Sequence, residues 1–88
     1  MASYKIVWKL SAKKELRKLS KTMIPRILKT VENLSIQPHP HGCKKLKGAQ
    51  FIYRIRTGNY RIVYSVENTI LLIEIIRVKH RKDVYEKK

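Results

Sequence analysis

The Gly58-Asn59 pair narrows the fold of this chain more than any other feature of its sequence. It stands between two runs rich in β-branched and aromatic residues, Phe51–Arg56 and Tyr60–Val66. A two-residue loop of this kind closes a hairpin and fixes its register. Thr57 then pairs with Tyr60, Arg56 with Arg61, Ile55 with Ile62 and Tyr53 with Tyr64. Side chains alternate between the faces of a strand, so Tyr53, Ile55, Ile62 and Tyr64 share one face. A slip of one residue would turn one strand's apolar set to the opposite side, so their coherence supports this register. A third run, Ile70–Val78, follows the separator Glu67-Asn68-Thr69. The expected unit is a three-stranded antiparallel meander.

The same register loads the other face with charge. Arg56 falls directly across from Arg61, with Arg54 close by. Like charges opposed on a sheet destabilise it. Three arginines there suit a phosphate site, because guanidinium forks grip phosphate in bidentate fashion. The competing reading is that they splay into water and that an acid neutralises one of them. A two-residue turn at Glu67-Asn68 would set Glu74 opposite Arg61, and Arg61 is expected to face solvent.

Net charge points the same way. Lys and Arg number 21 against 6 Asp and Glu, a formal +15 on 88 residues. Such self-repulsion does nothing for an isolated fold, and its usual counterpart is a polyanion, most often nucleic acid. Both halves of the chain are basic, so the charge belongs to the folded body rather than to a tail. An apolar fraction of 43% is enough for a thin core in one small domain, residues 1–88. No run approaches the roughly 18 apolar residues of a membrane span, and the N-terminus has no apolar core of a secretory signal. Cys43 is the single cysteine, which excludes an internal disulfide and a multi-cysteine zinc site. The cytoplasm is the expected compartment.

Upstream of the meander, Tyr4–Lys9 reads as a strand, and Ser11 as the N-cap of a helix carrying Ala12, Leu16 and Leu19 on one side. Lys13, Lys14, Arg17 and Lys18 cover the rest of that helix, either as a solvated face or as a grip on RNA phosphates. After Thr22, a second N-cap, Ile24, Ile27, Leu28, Val31 and Leu34 fall at helical spacing. Gln37-Pro38-His39-Pro40-His41-Gly42 ends that helix, and no periodicity returns before Gln50. Lys44, Lys45 and Lys47 lie in this stretch. The order β-α-α-β-β-β is an α+β fold, a small two-layer domain with a helical hairpin on an antiparallel sheet. Its first strand joins the edge of the meander, and Lys79–Lys88 forms a polar tail.

Leu46-Lys47-Gly48, the segment from Tyr53 to Tyr64, and Val78-Lys79-His80-Arg81-Lys82-Asp83-Val84-Tyr85 together resemble the RelE-type toxins of the RelE/ParE superfamily. The likeness covers nearly the whole chain, including the element order. It implies the toxin of a type II toxin–antitoxin pair, an mRNA interferase cutting message in the ribosomal A site. It also implies a cognate acidic antitoxin, with the free toxin a monomer and the complex of higher order. By motif match, Arg54 and Arg56 take the family's basic positions on its second strand and Arg61 the one on its third. Arg81 takes the terminal arginine, Tyr85 the terminal aromatic, and His80 the histidine found in some relatives. The family's usual Gly before the His-Arg pair is Lys79 here.

RNA can be cut without metal when its 2′-hydroxyl attacks the adjacent phosphate. The 2′ proton must be removed, charge on the phosphorane stabilised, and the leaving oxygen protonated. Arg56, Arg61 and Arg81 suit the second task. Tyr85, His80 and Lys47 are candidates for proton transfer, with Tyr85 equally suited to stacking a splayed base. Lys13, Lys14, Arg17, Lys18, Lys44 and Lys45 are the candidates for contact with ribosomal or messenger RNA. No metal or cofactor is expected, and His39 and His41 read as solvated loop imidazoles. The rival readings are a ParE-type toxin that inhibits DNA gyrase and a non-catalytic RNA- or ribosome-binding module.

Overall fold

A computed structural model describes residues 3–46, 48 and 50–80. The elements are β1 (Lys5–Trp8), α1 (Leu10–Arg17), α2 (Met23–Leu34), β2 (Lys44–Lys45), β3 (Ile52–Thr57), β4 (Tyr60–Glu67) and β5 (Leu72–His80). They form one five-stranded sheet in the order β1-β5-β4-β3-β2. The two helices lie on one of its faces, giving the α+β architecture of the sequence reading. Two details differ. The loop after α2 contributes the two-residue edge strand β2, and β1 runs parallel to β5, with Lys5 beside Leu72 and Trp8 beside Ile75. Parallel neighbours need a long crossover, and everything from α1 to β4 intervenes here.

The β3–β4 hairpin has the register that Gly58-Asn59 dictates, from Ile52 opposite Ser65 to Thr57 opposite Tyr60. Gly58 takes φ 60°, while Asn59 is not among the positive-φ residues. A left-handed first position followed by an ordinary one is the type II′ pattern, which fits the twist of the flanking strands.

Apolar residues of both layers meet beneath the helices. Ala12, Ile27, Val31 and Leu34 come from the helices, and Ile55, Ile62, Tyr64, Val66, Ile73 and Ile75 from the sheet. Each fully buried Ile or Leu contributes roughly 1.5–3 kcal/mol, so this cluster holds the hairpin against the helices. Tyr64 is wholly buried, and its hydroxyl donates to the Pro38 carbonyl at 2.8 Å. Burial, and then the neighbouring Cys43 thiol, push its phenol above the ordinary tyrosine range. Helix α1 begins one residue before Ser11. The Lys9 N–H still bonds to the Ile75 carbonyl at 3.0 Å, so the strand path runs to Lys9 and the helix starts directly after it. Thr22 precedes α2 but makes no capping hydrogen bond with its side chain; the Ser20 hydroxyl accepts the Met23 N–H at 3.3 Å instead. No described helix is long and apolar enough to cross a membrane.

Candidate active site

Directly opposed residues on neighbouring strands share a face, so the pairings define what the face away from α1 and α2 carries. Ile62, Tyr64 and Val66 point to the core, which turns Arg61, Val63 and Ser65 outward. Arg56 on β3 stands opposite Arg61 on β4, as the sequence requires, and Arg61 stands opposite Lys79 on β5. Two residues along, Lys44 on β2 opposes Arg54 on β3, Arg54 opposes Val63, and Val63 opposes Arg77. Six cations therefore occupy two adjacent rows, roughly 7 Å apart along the strands.

The β5 register corrects two expectations. Glu67 pairs with Leu72, so the connection spans four residues, Asn68–Leu71, with Leu71 at φ 51°. A bulge at Val63/Tyr64 then offsets the strands by one more residue. Glu74 consequently opposes Ser65 and cannot neutralise Arg61. A bulge re-aims the side chains beyond it. This one places Val78 in the core and delivers Lys79 to the outer row. The apolar spacing Ile73, Ile75, Val78 carries the signal of that offset, a step of two followed by three. Arg61 also departs from its expected solvent exposure. It is only 7% exposed, on a central strand between Arg56 and Lys79. Arg56 is exposed.

The acid that does balance this face is Glu15, from α1. Beyond Ile75 no described strand lies along this edge of β5, because β1 has ended. One Glu15 carboxylate oxygen accepts the Val78 N–H at 2.7 Å, and the other meets Arg77 Nε at 3.2 Å and Lys79 Nζ at 3.1 Å. Sequence reasoning passed over Glu15, whose signal was its position as the one acid within the Lys13–Lys18 basic stretch.

Two recesses adjoin the cation rows. One, of about 300 Å³, opens at the edge of β3 past the end of β2 and is lined by His41, Gly42, Lys44, Arg54, Ile55 and Arg56. The second, of about 230 Å³, lies on the helix side between α1 and the end of β5, bordered by Glu15, Lys18, Leu19, Tyr60 and His80 among others. The structure thus brings Arg54, Arg56, Arg61 and Lys44 together. It sets His80 apart from them, since His80 opposes Tyr60 on the helix-side face and packs edge-on to that ring at 5.0 Å. Lys45 opposes Tyr53, on the side away from the arginines. Lys13, Lys14, Arg17 and Lys18 are exposed along α1. Lys47, Arg81 and Tyr85 lie outside the described residues.

The arrangement suits a chain of phosphates, with fixed guanidinium forks in rows and an imidazole at one rim. Comparison with known proteins finds relatives of this chain among toxins. Residues 6–85 match the family model described as ParE toxin of type II toxin-antitoxin system, parDE. A putative RelE-like toxin protein of Escherichia coli is 31% identical over 86 residues, covering 93% of this chain and 90% of that one. Toxin RelE3 of Methanocaldococcus jannaschii is 46% identical over 43 residues, a match that takes in 49% of this chain and 47% of the relative. Among solved structures, the archaeal RelE–RelB complex from Pyrococcus horikoshii superposes with a TM-score of 0.80 at 31% identity, covering 89% of this chain and 94% of that one.

Proposed function

The chain belongs to the RelE/ParE superfamily of type II toxins, and on that premise we propose that it is a ribosome-dependent endoribonuclease that cuts message in the A site. The observation that carries this reading is the Arg56–Arg61–Lys79 row on the face away from α1 and α2, beside the Lys44–Arg54 pair. A toxin acting only by binding another protein has no use for opposed phosphate forks, which cost the sheet stability. A phosphodiester brought against them recovers that cost through charge-assisted hydrogen bonds.

Cleavage proceeds by attack of the RNA 2′-hydroxyl on the neighbouring phosphate, without a metal ion. It leaves a 2′,3′-cyclic phosphate and a 5′-hydroxyl. Arg56 and Arg61 stabilise the charge that grows on the phosphorane, and Arg81 joins them by motif match. Tyr85 acts in proton transfer or stacks a splayed base. The exposed lysines of α1 hold ribosomal RNA, which places the enzyme in the cytoplasm with translating ribosomes. The P. horikoshii relative is bound to RelB, and this toxin is likewise held by an acidic antitoxin. That partner is drawn to the +15 body by electrostatic steering.

The ParE description of the matched family supports a second reading, inhibition of DNA gyrase. One experiment separates the two. A message is translated in vitro, the protein is added, and 5′ ends are mapped. Cuts at fixed codon positions support the endoribonuclease. Intact message together with double-strand DNA breaks in cells supports the gyrase reading.

A further inference from the structure

Packing separates the three histidines. His39 lies edge-on to Tyr53 at a centroid distance of 4.6 Å, and His80 lies edge-on to Tyr60 on the helix side. His41 instead borders the recess that holds Lys44, Arg54 and Arg56. The turn that carries it is built against β3. The Cys43 N–H donates to the Pro40 carbonyl at 3.0 Å, and Gly42 sits at φ 94°. A Cβ on Gly42 would stand 3.9 Å from Ile55 Cδ1, so the backbone beside His41 rests on the residue between Arg54 and Arg56. Arg56 is in turn opposite Arg61. An imidazole, two guanidinium groups and an ammonium group thus surround one recess at the end of the cation rows.

We infer that His41 is the general base of this site, an assignment that rests on the endoribonuclease reading above. The charged groups that line the recess with it are Lys44 from β2 and Arg54 and Arg56 from β3. Lysine and arginine side chains keep their protons near neutral pH, whereas imidazole accepts one there. A ring nitrogen of His41 takes the 2′-hydroxyl proton as the 2′-oxygen bonds to phosphorus. The bond from phosphorus to the 5′-oxygen breaks, its electron pair stays on that oxygen, and water protonates it. The imidazolium then returns its proton to solvent. Tyr85 is left the stacking role.

The test is single-turnover cleavage of ribosome-bound message by the wild type, His41→Ala and His41→Gln, between about pH 5 and pH 8. The wild-type rate should rise with pH across this window and level off. His41→Ala should be about 10²- to 10⁴-fold slower, lack the rising limb, and regain rate when imidazole is added to the buffer. His41→Gln keeps a polar side chain in the turn and should be equally slow, which separates lost chemistry from lost folding. If the wild type cuts and either variant cuts as fast, His41 is not the base. The same holds if the slowed variants keep the rising limb and ignore imidazole. A wild-type protein that leaves the message intact overturns the endoribonuclease reading itself.

Discussion

Arg61 shows how a single residue can be legible in its position and illegible in its surroundings. Its place opposite Arg56 follows from one hairpin turn. Its near-burial, at 7% exposed, is not encoded by that turn. Removing Arg61 therefore sacrifices packing as well as charge, so Arg61→Ala is expected to lower both cleavage and stability, and Arg61→Lys to restore stability more than rate. A thermal melt beside a cleavage assay separates the two effects. Tyr64 offers a second test at this scale. Its phenol is raised above the ordinary value of about 10 by burial. The unfolded chain thus loses this proton before the folded one does, and the contribution to stability is complete below about pH 10 and drains away above it. Urea titrations should show wild-type stability falling more steeply above pH 10 than that of Tyr64→Phe. Equal slopes would contradict the burial assigned to the hydroxyl.

Among the elements, the β3–β4 hairpin was readable because its turn chemistry and its alternation agree. Strand β5 was harder. The separator Glu67-Asn68-Thr69 resembles a tight turn, but Leu71 adopts a left-handed φ and lengthens the connection. The bulge is written only in the uneven spacing of Ile73, Ile75 and Val78. The parallel pairing of β1 and the carboxylate of Glu15 at the β5 edge are long-range facts that no local pattern encodes. Glu15→Ala should cost about 1.5–3 kcal/mol, since it strips an ionised acceptor from the Val78 N–H and from two cations at once. Amide exchange at Val78 should quicken in that variant, and an unaltered rate there would remove Glu15 from its capping role. Gly58→Ala should cost about 1–2 kcal/mol, from a φ of 60° that alanine disfavours and a Cβ only 3.2 Å from Met23 Cε. Denaturant unfolding measures it.

At the scale of the whole molecule, the excess of cations is divided between two surfaces with different duties. The sheet face holds forks in rows, while α1 presents exposed lysines to solvent. Lysines that only hold RNA should govern the ionic-strength dependence of ribosome binding rather than the cleavage step. Replacing Lys13, Lys14 and Lys18 together should flatten the plot of log affinity against log salt, and an unchanged slope would make them a solvated face. The fold class and the arginine face could be read from pattern and charge. The recess at His41 could not, because it depends on where an aperiodic loop returns to the sheet. The sharpest test concerns Arg56, whose exposed side chain can be truncated without opening the core. In single-turnover cleavage of ribosome-bound message, Arg56→Ala should be slower by about 10²-fold or more while ribosome affinity changes little. Cleavage by that variant at the wild-type rate would mean that the cation rows do not act on the scissile phosphate.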